Sequence, residues 1–422
     1  MTKQSYGAEA YAIGGSGELL VASTAAKDIV SIEGSVFGGE NHVSKHWDVI
    51  PGLSAELLDA GTSKKNKDAV RGLLADRGIS LSFDASGDRT RFSGQCLPED
   101  LPSLLTVIAE CLEGSSFPEA EVESVKSRAL GALAEMKSDT SAQAGIALAR
   151  ALYDVGHVNF SRTLEEQEAS VRKADRTHLM DFRQRLGRDG LVLAVTGDVH
   201  AKTVRAAAEK AFSKLPERGL IAAAKHGNGK ESASSEKLIP IADKANVDVL
   251  LGVALPLRKL DPLFHPAALL TDMLGGGFAS HLMQTVRERD GLTYGVYATL
   301  RGFEDGADGY LRVWATFSPE LFMKSIGVLR KEMRHFFAHG MTETALERKK
   351  EEVTGSYLVG LSTTRGLARA LHQFTIDGRD LSYLAEYPDR IRAVSLAEVK
   401  AAADLVRPDK LAFIASGTFP EK

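Results

Sequence analysis

The sequence predicts an α+β protein made of two homologous domains. Strand-like segments alternate with long amphipathic helices, which is typical of a sheet with helices packed against it. The same order of segments also occurs twice, at an offset of roughly 220 residues in a chain of 422. An offset of about half the chain is too long for a solenoid repeat, so two domains of similar fold are expected.

The strands of the first half follow from turn residues and alternation. The segments ELLVAS and DIVSIEGSVFGG are rich in strand-forming residues and are bounded by turn residues. A later segment alternates with the period of a half-buried strand, at Ile79, Leu81, Phe83 and Ala85. Ser86-Gly87-Asp88 then predicts a hairpin turn into DRTRFSGQCL. Short connections of this kind favour an antiparallel sheet in each domain.

The clearest similarity between the two halves of the sequence lies in a segment that contains two helices. Each copy reads as a strand, a Pro-Glu step, an amphipathic helix, a turn and a Glu-rich helix. Pro98 corresponds to Pro319, and Glu119 corresponds to Glu343. The segment between the copies is rich in Gly, Ser, Ala and charged residues, which is typical of a linker. The predicted organisation is therefore a first domain over 1–215, a linker over 216–242 and a second domain over 243–422.

Composition narrows the classes of function. A net charge of -4 gives no electrostatic case for binding nucleic acid. Two cysteines, Cys96 and Cys111, cannot build a disulfide framework or a four-thiolate zinc site. No apolar run is long enough to span a membrane, and no basic start is followed by an apolar segment. A cytoplasmic protein is expected from the sequence as given, or a periplasmic one if a signal peptide was removed.

The segment GGGFASHLMQTVRERDGLTYGVYA holds the strongest candidate site residues. Arg287 and Tyr294 stand seven residues apart behind a run of three glycines, Gly275, Gly276 and Gly277. An arginine offers a rigid fork of donors, and a tyrosine hydroxyl can donate to a developing oxyanion. The alternative is a local ion pair of Arg287 with a neighbouring acid, and a Tyr294 packed on its strand.

The glycine run also has two interpretations. It is either a loop that contacts substrate or a helix end followed by a tight turn, and its shortness favours the turn. A phosphate-binding loop is not indicated, since no Gly-Lys-Ser/Thr follows.

The chain resembles the M16 metallopeptidases, the group of insulinase, pitrilysin and mitochondrial processing peptidase. GLSAELLDAGTSKK, LYDVGHVNF, VLAVTGDVHAKTV and the glycine segment carry the resemblance, which implies two domains of the LuxS/mitochondrial processing peptidase type. Catalytic members hold zinc with the two histidines of a His-x-x-Glu-His helix and a distal glutamate. Aligned on Gly61-Thr62, the motif positions fall on Gly52–Glu56 and the distal ligand falls at or near Ala132. Both histidines and the base are replaced, so no metal bound by this chain is expected.

No other histidines are expected to replace the missing zinc ligands. His42 and His46 are four residues apart in HVSKHW, but a solvated loop is favoured over a zinc site there. His157, in the GHVNF segment, is expected to be structural.

In the M16 family, an Arg/Tyr pair of the second domain hydrogen-bonds substrate near the scissile carbonyl. In two-gene members, one subunit brings zinc and the other brings this pair. The resemblance therefore implies a non-catalytic, substrate-binding subunit of a heteromeric zinc peptidase, with Arg287 and Tyr294 acting in trans and Gly275–Gly277 at the substrate. Its partners would be a zinc-bearing M16 subunit and an extended peptide added to a sheet edge. The alternatives are a structural or assembly subunit without a role in hydrolysis and, less favoured, a self-sufficient hydrolase.

Overall fold

The computed structural model describes residues 6–223, 227–230 and 235–419, which form two compact units. Part of the predicted linker, residues 224–226 and 231–234, lies outside the described residues. Each unit draws on both halves of the sequence. The first unit comprises residues 6–131, 165–223 and 356–387; the second comprises 132–164, 227–230, 235–355 and 388–419.

The strands of the described residues form one sheet in each unit. They are β1 (Ala8–Ile13), β2 (Gly17–Ser23), β3 (Val30–Phe37), β4 (Ser80–Ser86), β5 (Arg89–Cys96), β6 (Val192–Gly197), β7 (Glu236–Pro240), β8 (Val247–Ala254), β9 (Val296–Arg301), β10 (Tyr310–Phe317) and β11 (Ala412–Gly417). The first sheet has the order β1-β2-β6-β3-β5-β4, and the second has the order β7-β11-β8-β10-β9. Strand β7 lies within the range 216–242 that was predicted to be linker.

Helices connect and cover the strands. They are α1 (Val49–Ala55), α2 (Lys67–Asp76), α3 (Leu101–Gly114), α4 (Glu119–Ser138), α5 (Thr140–Leu152), α6 (Leu164–Lys173), α7 (Arg176–Arg183), α8 (Ala201–Phe212), α9 (Phe264–Gly275), α10 (Phe322–His335), α11 (Glu343–Leu361), α12 (Thr364–Ile376), α13 (Ser382–Ala393) and α14 (Leu396–Ala403). Two π-helical segments lie over Met283–Arg289 and Phe336–Gly340. No helix of the described residues is long and apolar enough to cross a membrane.

The two sheets repeat one topology, which confirms the predicted α+β fold. Strands β2-β6-β3-β5-β4 of the first sheet stand in the same order as β7-β11-β8-β10-β9 of the second. The sheets are mixed rather than purely antiparallel, since β2 pairs with β6 and β7 pairs with β11 in parallel. A parallel pair needs a long crossover, and the helical excursions before β6 and β11 provide one.

The hairpin predicted at Ser86-Gly87-Asp88 is present. Strands β4 and β5 pair antiparallel, with Ser86 opposite Arg89 and Phe83 opposite Phe92. Gly87 has a φ of +56°, a left-handed conformation that glycine adopts without steric penalty. Strand β4 is the outer strand of its sheet and is joined to β5 by this tight turn.

Each sheet is covered by a helix that comes from the other half of the sequence. In the first unit, Leu367 and Leu371 of α12 pack with Leu20 and Ala194 of the sheet. The side chain of Thr363 accepts a hydrogen bond from the Gly366 N–H (3.0 Å) and so starts α12.

Helix α5 covers the second sheet in the same way. Its Leu148 and Leu152 pack with Leu250 and Ile414 of the second sheet. The Asp139 carboxylate caps the start of α5. We call α5 and α12 the exchanged helices, because each covers a sheet formed mainly by the other half of the sequence. Burying one such leucine contributes about 1.5–3 kcal/mol to the free energy of folding, so each exchanged helix contributes substantially to the stability of its unit.

Candidate functional site

The glycine run is the end of helix α9 and the turn after it. Gly275 is the last residue of α9 and is buried, and a β-carbon there would collide with the backbone nitrogen of Ala298 in β9. A β-carbon on Gly276 would collide with Asp272, whose carbonyl oxygen accepts the Gly276 N–H (2.9 Å). Close packing therefore accounts for Gly275 and Gly276. Gly277 is less confined, and contact between this run and a substrate stays a prediction.

A buried charged group lies beneath this turn. The Lys349 ammonium donates to the Glu352 carboxylate at 2.7 Å, and a β-carbon on Gly277 would lie 3.3 Å from the other Glu352 oxygen. Burial raises the pKa of Asp272 to about 6; the Lys349 charge acts against this shift and the Glu352 charge adds to it. Polar groups of α9 and α11, namely Asp272, Lys349 and the half-exposed Glu352, thus lie beside the turn.

Arg287 lies between two aromatic rings. Its guanidinium carbon is 5.4 Å from the ring centroids of both Phe278 and Tyr294, within the range of a cation–π interaction. Its Nε also lies 3.4 Å from a Glu288 carboxylate oxygen, so part of the alternative ion pair exists. Asp290 instead binds Arg289 through two hydrogen bonds of 2.8 and 2.7 Å. The arginine is therefore oriented mainly by aromatic rings, with one weak carboxylate contact.

The residues beside Tyr294 are hydrogen-bonded, whereas the Tyr294 side chain is exposed to solvent. The Thr293 hydroxyl donates to the Thr316 carbonyl at 2.5 Å and accepts the Gly295 N–H at 3.1 Å. A β-carbon at Gly295 would lie 3.0 Å from the Trp314 ring, so glycine allows this close approach. The Tyr294 side chain is 88% exposed, and within the described ranges its hydroxyl has no hydrogen-bond partner. A backbone held by these hydrogen bonds of Thr293 thus presents the Tyr294 phenol to solvent.

A glutamate from a distant helix anchors the segment that carries Arg287. Glu332 of α10 is buried and accepts hydrogen bonds from His281 (3.1 Å) and Arg289 (3.0 Å). These two residues stand on either side of Arg287 in sequence. Burial lowers the pKa of His281, while Glu332 opposes that shift. Glu332 was not predicted because no local sequence pattern links it to Arg287. Phe278 was not predicted either, although an aromatic residue directly after the three glycines is visible in the sequence.

The corresponding region of the first half has different chemistry. In helix α1, Leu53, Ser54 and Ala55 are buried, and the Ser54 hydroxyl has no hydrogen-bond partner. Glu56 comes directly after the helix and forms a 2.8 Å ion pair with Arg128 in which both side chains are about half exposed. Ala132, near the position expected for the distal ligand, is an exposed alanine of α4.

Comparison with known families identifies the fold. Residues 173–353 match the model described as the peptidase M16 inactive domain, and residues 54–163 match the insulinase (peptidase family M16) model. The chain belongs to the M16 family. The resemblance predicted from the sequence is thereby confirmed, and the protein is peptidase-like.

Relatives within the M16 family have both peptidase and non-peptidase names. The chain is 26% identical to an uncharacterized zinc protease of Streptomyces coelicolor, over 86% of this chain and 82% of that one. It is 24% identical to the non-peptidase homolog YmxG of Helicobacter pylori, again over 86% and 82%. A crystal structure of a peptidase M16 inactive domain from Pseudomonas fluorescens superimposes with a TM-score of 0.87 at 20% identity, over 98% of each chain. That structural likeness shows the fold alone.

The residues that the alignment on Gly61-Thr62 puts at the zinc-motif positions do not fit zinc. Gly52 has no side chain, Ala55 stands at the base position, and Glu56 already pairs with Arg128. Zinc sites of this family type need imidazole nitrogens together with a carboxylate. Throughout the described part of the chain, no group of three or more His, Cys, Asp or Glu side chains is arranged to hold a metal ion.

The other histidines singled out by sequence lie in structural contacts. His42 lies near the ring of Phe37, and His46 packs edge-on against Trp47. His157 is buried, and its Nε2 lies 2.7 Å from an Asp308 carboxylate oxygen.

Proposed function

We propose that this chain is the non-catalytic, substrate-binding subunit of a heteromeric M16 peptidase. Its partner would be an M16 chain that carries the zinc site, and the substrate would be a peptide in extended form. Arg287 and Tyr294 would act in trans on the partner's substrate. The observation that carries the proposal is the exposed, unpaired hydroxyl of Tyr294 beside the aromatic-held guanidinium of Arg287.

The chemistry of the pair suits acyl transfer. A phenol and a guanidinium both donate hydrogen bonds to negative charge that develops on a carbonyl oxygen. Preorganised donors are effective because they need little rearrangement when charge develops. The hydrogen bonds of Thr293 to Thr316 and Gly295 hold the backbone beside Tyr294. Neither group activates water, so the pair needs a partner that does.

The edge of the second sheet supports peptide binding at the same place. Strand β9 begins two residues after Tyr294 and is the last strand of its sheet, paired with β10 in the described residues. An outer strand offers backbone groups to which an extended peptide can add. A peptide lying along β9 would pass Tyr294 at its start.

The decisive experiment measures turnover by the reconstituted complex. This chain is mixed with an M16 chain that carries an intact His-x-x-Glu-His motif, and hydrolysis of a quenched fluorescent peptide is followed. Tyr294→Phe removes one donor and keeps the ring, so turnover should fall about 100- to 1,000-fold. The matched control is Tyr11→Phe, which changes a partly exposed tyrosine of β1 in the first unit and should leave turnover near wild type.

Complex formation is measured in parallel by size-exclusion chromatography and should be the same for both variants. If Tyr294→Phe hydrolyses peptide at the wild-type rate in an intact complex, the pair has no catalytic role. The chain would then be a structural or assembly subunit with a peptidase-like fold.

A further inference from the structure

Two arginines share one face of the second sheet, beside its outer edge. Arg312 of β10 stands directly opposite Thr299 of β9, and Tyr310 stands opposite Arg301. The four side chains point to the same face because side chains alternate along a strand, and the two arginines are diagonal neighbours. We call these four residues the arginine patch.

The patch contains donors that the described structure leaves unused. The Nε of Arg312 and the hydroxyl of Thr299 are both buried, and neither has a hydrogen-bond partner. Within residues 6–223, 227–230 and 235–419, neither Arg301 nor Arg312 forms an ion pair with a carboxylate. Buried donors are normally hydrogen-bonded, so two buried donors without acceptors at one place indicate that a group from outside the chain binds there.

Among the described residues, no carboxylate forms an ion pair with either arginine of the patch. Burial lowers the pKa of Arg312 and the positive charge of Arg301 lowers it further, while Tyr310 opposes the shift. Two like charges on a half-buried surface repel each other, and an anion bound between them would relieve the repulsion. The fork of a guanidinium matches the two oxygens of a carboxylate, and a neighbouring hydroxyl adds a third donor.

The position of the patch relates it to the peptide site. Tyr294 lies at a bend two residues before β9 and Arg301 ends the strand, so seven residues at roughly 3.3 Å each place them at most about 23 Å apart. Between them, the rings of Tyr297 and Trp314 are stacked at a centroid distance of 5.8 Å. One extended peptide along β9 would therefore pass Tyr294, then the aromatic pair, then the arginine patch.

We propose that the arginine patch binds a carboxylate of the peptide substrate, about six or seven residues from the bond presented at Tyr294. The carboxylate is either the side chain of an Asp or Glu or the peptide's own C-terminus. This inference rests on the proposed function, since it assumes a peptide along β9, and it adds the class of substrate: peptides with an acidic group at a fixed distance.

Binding to this chain without its partner tests the proposal. In a Trp47→Phe background, Trp314 is the sole tryptophan, and its fluorescence reports binding beside the patch. The probes are four synthetic twelve-residue peptides of Val, Thr and Ser. One carries an internal Glu and one carries Gln at that position, both with amidated C-termini; the other two contain neither and end in a free carboxylate or an amide.

The Glu peptide, the free-acid peptide or both should bind roughly tenfold or more tightly than the matched neutral peptide. A preference for Glu over Gln identifies a side chain as the source of the carboxylate, and a preference for the free acid identifies the terminus. Arg301→Met and Arg312→Met should each remove most of that preference, whereas Arg312→Lys should keep part of it. Arg348→Met, an exposed arginine of α11, is the control and should keep all of it. Circular dichroism checks that each variant is folded, and the exposed Arg301 keeps the test open if Arg312→Met unfolds.

Equal binding of acidic and neutral peptides by the wild-type chain, or no binding of any of the four, would overturn the proposal. A preference that survives the Arg301→Met/Arg312→Met double substitution would also overturn it. The catalytic proposal for Tyr294 can fail while the arginine patch proposal holds. Tyr294→Phe should keep the preference for acidic peptides. If the chain prefers acidic peptides but never stimulates hydrolysis, the patch proposal stands and the catalytic role of Tyr294 is refuted.

Discussion

Helices α1 and α9 hold corresponding places in the two units, each packed beside the outermost strand of its sheet, but the segments after the two helices differ. At α1, the aligned ligand positions are Gly52, which has no side chain, and Glu56, which forms a surface ion pair with Arg128; Leu53 and Ala55 between them are buried. After α9, an exposed tyrosine and an arginine held by aromatic rings stand together. Packing accounts for Leu53 and Ala55 of α1. It does not account for Tyr294, which is 88% exposed and contributes little to any core, and the proposed function gives this tyrosine a role in binding.

The strongest test of this comparison uses the glycines of the two helices. Gly275→Ala should lower the free energy of unfolding by about 3 kcal/mol, because the added carbon meets the backbone of Ala298, which cannot move aside easily. Gly52→Ala in α1 meets no atom within 4 Å, so it should raise that free energy by about 0.5–1 kcal/mol through helix propensity. Urea unfolding of both variants measures the difference. Equal effects would contradict the account of close packing at α9.

Acid should weaken the first unit through one buried histidine. Arg89 donates to the Ser35 hydroxyl (3.0 Å), which in turn lies 2.8 Å from Nε2 of His372. Burial, and then the charges of Arg89 and Arg91, lower the pKa of His372 to about 3. In the unfolded chain it titrates near 6.5, so between pH 6.5 and 3 the unfolded state binds more protons.

The free energy of unfolding should therefore fall as pH falls through this window, by up to about 1.4 kcal/mol per pH unit. His372→Gln keeps an acceptor near Ser35 and removes the titration. Its stability should depend less on pH between about 6.5 and 4, as measured by thermal unfolding at several pH values. An unchanged pH dependence would show that His372 is not the group responsible.

Much of the fold could be predicted from local pattern. The alternation before Ser86 and the turn residues after it predicted the β4–β5 hairpin. Arg287 and Tyr294 were singled out through the resemblance to the M16 family, and their role stays a prediction. Other features are set by contacts distant in sequence. An amphipathic helix such as α12 shows that it has an apolar face but not which sheet will cover that face, so the exchange of α5 and α12 had no local signal. Glu332 was missed for the same reason.

A smaller effect is expected at that glutamate. Glu332→Gln removes the negative charge that holds both His281 and Arg289, and it should lower the free energy of unfolding by about 1–3 kcal/mol. Turnover by the reconstituted complex should fall as well, because the segment bearing Arg287 is less firmly held. Glu320→Gln, in the turn before α10, is a surface control that should change neither quantity. Normal turnover of Glu332→Gln would show that the anchor is not needed for the site.

The least effect is expected at the ion pair that ends α1. Arg128→Met should change the free energy of unfolding by no more than about 0.5 kcal/mol, because both partners are largely solvent-exposed. Chemical denaturation measures this change directly. A loss of more than about 2 kcal/mol would mean that Glu56 and Arg128 stabilise the vacated motif far more than their exposure indicates.

The exchange of helices has a consequence for how the protein is made. The first sheet is complete once Val192–Gly197 has been synthesised, but the leucines that cover it, Leu367 and Leu371, come much later in the chain. At about 5–20 residues per second, the roughly 180 residues between Val192 and Leu371 take about 9–36 s to emerge during translation. During that interval the nascent chain carries an uncovered apolar sheet face, so the ribosome-bound intermediate should be a substrate for chaperones that shield hydrophobic surface.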